Sequence, residues 1–383
     1  MKNIIILGST GSIGVQALEV INNHKDKFNL IGISANENVE LLAEQAKSYN
    51  PKYVCIANEN HKQILYNLLD LKKYNLLSGR EGLLDLSSIN DADIMLNALV
   101  GADGMEPTLN AINAGVNIAL SNKESLVMAG DIINKRLDAM DVSLHPVDSE
   151  HSAIWQCIVG EKNEQIDKII LTGSGGPFRT RKVSDFHTIK KEDALKHPNW
   201  SMGSKITIDS STMMNKGLEL IEAYWLFPLN LDKIDIVIHP ESIIHSMVEF
   251  SDGSVKAQLG VPSMEIPIQY ALTYPERLYS NCERLDLTKI KSLNFEKPDL
   301  EKFKCIDLAY QSIKKGGSCP VVLNVANDIL VGCFLNDKIS FLDIPNIIEG
   351  TLDSHEFIKD ISLDDIAHLT AWTQKYIKGK IND

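Results

Sequence analysis

Between positions 145 and 153 the chain reads HPVDSEHSA, with two carboxylates, Asp148 and Glu150, on either side of a serine. Acids one residue apart share a face of an extended segment. Like charges that close repel unless a cation or a shared proton lies between them. A solvated loop would explain the same pair without chemistry, so other stretches must decide. ITIDSSTMMNKGLELIEAYWLF (206–227) reads as a strand, ITID, followed by a helix from Asn215. On that helix Asn215, Glu219 and Glu222 share one face, and Leu218, Ile221 and Trp225 another. Glu219 is thus a third acid able to converge with the first two, although a solvent-facing helix acid is its ordinary alternative. Three carboxylates make an all-oxygen cation site, which suits Mg²⁺ or Mn²⁺ and disfavours Zn²⁺. Ser210, Asn215 and Lys216 gather at the expected helix start, where free N–H groups and the dipole favour an anion.

Two further stretches carry donors or a cover. LTGSGGPFR (171–179) runs from a strand into a turn in which Gly173, Gly175 and Gly176 open the backbone and Ser174 can donate to a phosphate or oxyanion. HPNWSMG (197–203), with His197, Pro198, Trp200 and Gly203, makes a poor helix or strand. A tryptophan with so little core around it reads as part of a lid over a ligand. The alternative is a loop whose tryptophan packs on a neighbouring domain.

These residues need a frame. Near the N-terminus an apolar run, NIIIL (3–7), precedes GSTGSIG and then a helical pattern of Val15, Leu18 and Ile21. Gly8, Gly11 and Gly14 permit a tight turn, close approach to a pyrophosphate and close helix packing, a variant of the dinucleotide fingerprint. Strand and helix patterns then alternate over roughly the first 145 residues, as in a doubly wound parallel sheet. The second strand ends at Ser34 and Ala35 without an acid for a ribose hydroxyl, which favours NADP, whereas Glu37 would repel a 2′-phosphate if it faced the site. In SNKESLVMAG (121–130), Asn122, Lys123 and Glu124 fall at the carboxyl edge of the sheet, with a Ser121–Glu124 capping box as the structural alternative. The segment 234–260 alternates with period two and turns at Asp252-Gly253, as an antiparallel addition to a second sheet; His239 and His245 read there as sheet residues. A strand pair of this kind could build a subunit interface. Residues 274–303 read as a polar linker, and four helical patterns follow, the last capped by Ser362 with Asp365.

The expected architecture is α/β: a Rossmann-like N-terminal domain (1–147), an α+β catalytic and connective domain that also dimerises (148–273), a linker (274–303) and a C-terminal helical bundle (304–383). The 383 residues suffice for two or three cores. A formal net charge of −13 argues against nucleic acid or an anionic membrane as partner. Six cysteines without a C-x-x-C pair fit buried thiols in a reducing cytoplasm, and no apolar run suits a secretory signal or a membrane span.

Together, GSTGSIG, NKESLV, PVDSEHSA, LTGSGGPFR, HPNWSMG, DSSTMMNKGLELIEA and HPESIIHSMVEF closely resemble the 1-deoxy-D-xylulose 5-phosphate reductoisomerase family. Order and spacing match from residue 1 to about 270, and the helical tail matches the family's length. The resemblance implies an NADPH- and divalent-metal-dependent enzyme that rearranges and reduces a small phosphorylated sugar, working as a cytoplasmic homodimer. It implies Asp148, Glu150 and Glu219 as metal ligands. Ser149, Glu150, Ser174, His197, Trp200, Ser210, Asn215, Lys216 and Glu219 are implied on the substrate side, and the segment from Trp200 to Met202 in the lid. Lys123, Glu150 and His197 are the implied catalytic groups. Gly8, Thr10, Gly11, Ser12, Ile13, Asn36, Glu37, Asn38, Asn122, Lys123, Glu124 and Gly203 are implied to meet the nucleotide. Glu37 departs from the basic residue the family often has nearby. The competing readings are a simple NAD(P)-linked dehydrogenase, which needs no three-acid site, and a nucleotide-sensing module without turnover.

Overall fold

Strands and helices alternate through the first half of the chain. In this computed structural model, which describes residues 1–196, 200 and 203–382, they run β1 (Lys2–Leu7), α1 (Ser12–Asn23), β2 (Phe28–Ala35), α2 (Val39–Tyr49), β3 (Tyr53–Ile56) and α3 (Lys62–Leu68). Then come β4 (Asn75–Ser78), α4 (Gly79–Ser87), β5 (Ile94–Asn97), α5 (Met105–Asn113), β6 (Asn117–Leu120), α6 (Lys123–Met140), β7 (Leu144–Pro146) and α7 (Ser149–Ile158). The seven strands form one sheet, order β4-β3-β2-β1-β5-β6-β7, and every pairing is parallel. Ile4, Ile5, Ile6 and Leu7 are buried, as a strand covered on both faces requires. The order reverses between β1 and β5, which is where such sheets bind ligands. The sequence pattern misses β4, whose short NLLS carries no alternation.

The second sheet comprises β8 (Ile166–Gly173), β9 (Ile234–Ile238), β10 (Ile244–Phe250) and β11 (Val255–Leu259), in the order β11-β10-β8-β9. β10 and β11 form the expected hairpin over Asp252 and Gly253. β9, however, pairs parallel with β8, so the antiparallel reading holds only from β10 onward. The stretch ITID also differs from expectation: it lies in α9 (Ser204–Thr212), after the short α8 (Lys191–Ala194) and before α10 (Met214–Leu226). Its hydroxyls explain the override. Thr207, Ser211 and Thr212 return hydrogen bonds to the carbonyls of Gly203, Thr207 and Ile208, one turn back in each case.

α11 (Glu265–Thr273) is followed by α12 (Lys304–Lys315), α13 (Cys319–Leu335), α14 (Asp343–Ser354) and α15 (Leu363–Asn382), the last four matching the expected bundle. Ser362 and Asp365 exchange backbone and side-chain hydrogen bonds ahead of α15, as the cap pattern predicts.

Two compact units emerge. One holds residues 1–125, 131–152 and 263–282; the other holds 126–130, 153–262 and 283–383. In the first, α11 returns from far along the chain: the Lys2 ammonium donates to the carbonyls of Leu272 and Tyr274, and His24 meets Gln269. In the second, the core runs from β8 through α10 to the bundle, with Phe178, Phe186 and Phe341 packed ring against ring. All six cysteines are free; Cys55, Cys157, Cys305 and Cys319 are buried as expected, whereas Cys282 and Cys333 are only half-buried. Among the described residues no helix is long and apolar enough to cross a membrane.

Two predictions follow from the first unit. A Cβ on Gly14 would stand 2.3 Å from the Gly8 carbonyl oxygen, a backbone atom that cannot move aside. Gly14→Ala is therefore expected to lower the thermal midpoint and weaken nucleotide binding together, measurable by calorimetry. His145 on β7 meets the Ala271 carbonyl at 2.8 Å. Burial holds its imidazole below the usual 6.5, with the nearby Lys2 charge adding and that hydrogen bond opposing. The unfolded chain then takes up the proton more readily, so stability is lost as pH falls through and below 6.5. Between about pH 7.5 and about pH 5.5, wild type should lose more of its thermal midpoint than His145→Asn does.

Candidate active site

The first unit presents a glycine loop and an acid–lysine cluster. Gly8 has φ +84°, and a Cβ there would sit 2.8 Å from the Ala98 carbonyl oxygen, so only glycine turns the chain out of β1. Gly8 and Ser9 both donate to the Ser34 carbonyl, and the buried Ser9 hydroxyl donates to Gln45. Ser34, near the end of the acid-free β2, is buried and holds this loop through its carbonyl and hydroxyl. Thr10 and Ile13 are half-buried, and Gly11 and Ser12 are exposed at the start of α1, which has no side-chain cap on its leading N–H groups. Asn36, Glu37 and Asn38 are exposed beyond β2, and Asn38 caps α2 through the Leu41 N–H.

At the carboxyl end of β6, Asn122 is the N-cap of α6 and accepts from the Ser125 N–H. Its amide also donates to the carbonyls of Leu99 and Gly101. The alternative Ser121–Glu124 box does not form; the helix starts one residue later than that pattern requires. Glu124 accepts from the Asn122 amide, and the buried Lys123 ammonium pairs with Asp148.

Asp148 and Glu150 do not lie on a strand. β7 stops at Pro146, and the Ser152 N–H donates to the Asp148 carbonyl, so Asp148 opens α7 and Ser149 and Glu150 occupy its first turn. Their carboxylate oxygens lie within 4.8 Å of one another because the helix start folds them together, not because of period two. The Ser149 hydroxyl donates to Glu150 at 2.5 Å. His151, which the sequence reading passed over, is fully buried and brings a ring nitrogen within 4.8 Å of the Asp148 carboxylate. Its position three residues after Asp148 was the available signal.

The second unit holds a cradle of a different kind. Ser210 lies in the last turn of α9 rather than at a helix start. Met213 then adopts a left-handed conformation (φ 61°, ψ 12°) that breaks the chain before α10. Asn215 and Lys216 occupy the first turn of α10. The Asn215 amide and the Lys216 ammonium both donate to Glu219, which is fully buried, as is Glu222 nearly so. The solvent-facing alternative for Glu219 is excluded. Glycines let this cradle close up: a Cβ on Gly173 would reach the Lys216 Cε at 2.8 Å, and one on Gly176 the Ser210 carbonyl oxygen at 2.5 Å. Between them Ser174 is half-buried. Asn215 Oδ1 is buried with no hydrogen-bond partner among the described residues, an acceptor left for a ligand.

Trp200 is half-buried, its ring 6.4 Å from that of His245. Gly203 is exposed and caps α9. His197 and Met202 lie outside the described residues. His239 is structural as expected: its Nδ1 meets the Asn294 carbonyl, its Nε2 accepts from the Ile243 N–H, and Phe295 stacks on its ring.

A glycine turn at the switch point of a parallel sheet, with a lysine-, serine- and asparagine-lined cradle and buried acids, defines a nucleotide-dependent enzyme for a small anionic substrate. Comparison with known proteins agrees. The sequence model described as 1-deoxy-D-xylulose 5-phosphate reductoisomerase matches residues 4–130, and two describing C-terminal domains of that enzyme match 144–227 and 259–376. A relative of that description from Chloroherpeton thalassium is 54% identical over 99% of this chain and 98% of its own. One from Clostridium perfringens is 49% identical over the whole of both. The solved structure of the Zymomonas mobilis enzyme in complex with NADPH superposes with a TM-score of 0.94 at 42% identity, covering 99% of each chain. Another, in complex with NADPH, fosmidomycin and magnesium, gives a TM-score of 0.94 at 40% identity over 100% of this chain and 98% of that one. The chain belongs to the 1-deoxy-D-xylulose 5-phosphate reductoisomerase family.

Breaking the buried pair in the cradle leaves a bare charge. Lys216→Met is expected to destabilise by about 3–5 kcal/mol. Lys216→Met with Glu219→Leu should recover most of that in thermal unfolding while turnover stays abolished.

Proposed function

We propose that this protein converts 1-deoxy-D-xylulose 5-phosphate to 2-C-methyl-D-erythritol 4-phosphate with NADPH and a divalent cation, Mg²⁺ or Mn²⁺. The observation that carries the reading is the fully buried Glu219 with its lysine and asparagine, in a chain of this family. The residues fit both groups. The glycine turn packs against backbone at Gly8 and Gly14 and leaves the leading N–H groups of α1 without a side-chain cap, as a pyrophosphate requires, and the proposed metal ligands Asp148, Glu150 and Glu219 are hard oxygen donors. When bound, the cation polarises the substrate's carbonyl and hydroxyl oxygens while NADPH supplies hydride.

The rest falls to the chain's own side chains. Lys216, Ser210 and Ser174 hold the substrate phosphate, Lys216 as charge and the two hydroxyls as neutral donors, while Asn215 offers its Oδ1, unpartnered among the described residues, to a substrate hydroxyl. Lys123, held by Asp148, keeps a positive charge beside the reacting oxygens and stabilises the negative charge that develops there. Ser149 and Glu150 orient the hydroxyls, Glu150 handling the proton. Trp200 and His197 cover the substrate and keep water out. Thr10 to Ile13, Asn122 to Glu124, Asn36 to Asn38 and Gly203 serve the nucleotide. In the stretch from Asn36 to Asn38, Glu37 is the residue whose charge opposes a 2′-phosphate, so the comparison of NADPH with NADH bears on it directly.

The protein works in the cytoplasm as a homodimer, in keeping with its unbridged thiols and with the open edge of β11, where Val255 and Leu259 are exposed. The test of the function is NADPH consumption with 1-deoxy-D-xylulose 5-phosphate and Mg²⁺. Turnover should vanish on chelation with EDTA and be much slower with NADH. Saturable nucleotide binding without consumption would return the chain to a sensing module, and activity that survives EDTA to a simple dehydrogenase.

A further inference from the structure

The helix that bears Ser210 is tied to the C-terminal bundle by a buried acid next to it in sequence. Asp209 is 1% exposed and Asn327, on α13, is 0% exposed. The Asn327 amide donates to Asp209 Oδ1 at 2.8 Å. Lys205, one turn back on α9, reaches Asp209 Oδ2 at 3.0 Å and Asp328, also on α13, at 2.9 Å. We propose that Asp209 is a positioning residue of the phosphate cradle, setting the register of α9 against α13 so that Ser210 meets the substrate phosphate.

A buried carboxylate tolerates no register but the one that supplies its donors. Sliding α9 by one residue would put Ile208 or Ser210 opposite Asn327 and strand the charge. The hydroxyls of Ser211 and Thr212 bond carbonyls of their own helix, and Ser211 also that of Ala194 on α8, so neither sets a register against α13. From Asp209 the constraint passes directly to the site. Gly176 lies against the Ser210 carbonyl, so a shift of α9 displaces the loop bearing Ser174. Three residues further on, the left-handed Met213 hands the chain to α10 with Asn215 and Lys216. Displacement of such groups by about 1 Å can cost on the order of a hundredfold in rate. The role of the bundle is thus to hold the phosphate-binding donors at their spacing.

The proposal rests on the function assigned above, and its test separates the two. Asn327→Ala removes the donor; the exchange Asp209→Asn with Asn327→Asp restores a hydrogen bond in the opposite sense at the same net charge. Each is measured for the KM of both substrates, for thermal midpoint and for the Kd of inorganic phosphate. Asn327→Ala should raise the KM for the phosphorylated substrate and the phosphate Kd about fivefold or more, with the KM for NADPH unchanged. The exchange should bring both back to within about twofold of wild type. A lowered thermal midpoint with unchanged phosphate Kd and substrate KM would make the pair a stability element only and overturn the proposal. So would an equal rise in the KM for both substrates. Should wild type show no turnover, the assigned function fails, and the phosphate titration still decides: no phosphate binding, or the same Kd in every variant, ends the positioning role.

Discussion

A carboxylate without solvent-exposed surface must be answered by charge or by donors, and Glu219 is such a carboxylate. Lys216 and Asn215 answer it from one turn back on the same helix, so α10 has to be a well-formed helix before the charge is tolerable. That helix is in turn pressed against the bundle. A Cβ on Gly217 would stand 2.6 Å from the Ala309 Cβ of α12, a spacing that only glycine permits. The cradle's geometry therefore depends on a packing contact and a buried charge that reinforce each other. Cys305, at the start of α12, stays a neutral thiol there because burial pushes it up to about 12, the nearby Asp209 adding to the shift.

The nucleotide-binding unit solves a different problem with the same means. Its loop after β1 has no space for side chains at Gly8 and Gly14, and it leads into a helix whose first N–H groups have no side-chain cap. The loop is held by the Ser34 carbonyl and the Ser9–Gln45 hydrogen bond. Both units thus build rigidity behind the binding surface and leave the surface itself to backbone and short side chains.

Much of this was legible in the sequence. Buried parallel strands write themselves as apolar runs, which is why β1, β2, β5 and β6 could be placed, and the amphipathic bundle helices follow the 3.6-residue period. Asp148, Glu150 and Glu219 were visible as acids, but not as they are arranged. HPVDSEHSA reads as extended only if the helix-opening role of Asp148 goes unnoticed. ITID reads as a strand because β-branched residues favour one, and hydroxyl bonds returning to the helix backbone are invisible in a pattern. The burial of Glu219 could not be read from its spacing, since an exposed helix face looks the same. Nor did anything in the local sequence near α11 show that it returns to the N-terminal unit, because that is a long-range contact.

The return of α11 has a bearing on how the chain is made. The lysine at position 2 has its carbonyl partners at 272 and 274, and α1 has its packing partner at 265–273. During synthesis the nucleotide-binding sheet can be assembled early, but one flank stays bare until nearly three-quarters of the polypeptide has left the ribosome. A fragment ending near residue 150 would carry that uncovered apolar flank permanently, so dividing this protein at its apparent first domain boundary yields a sticky piece rather than a working module.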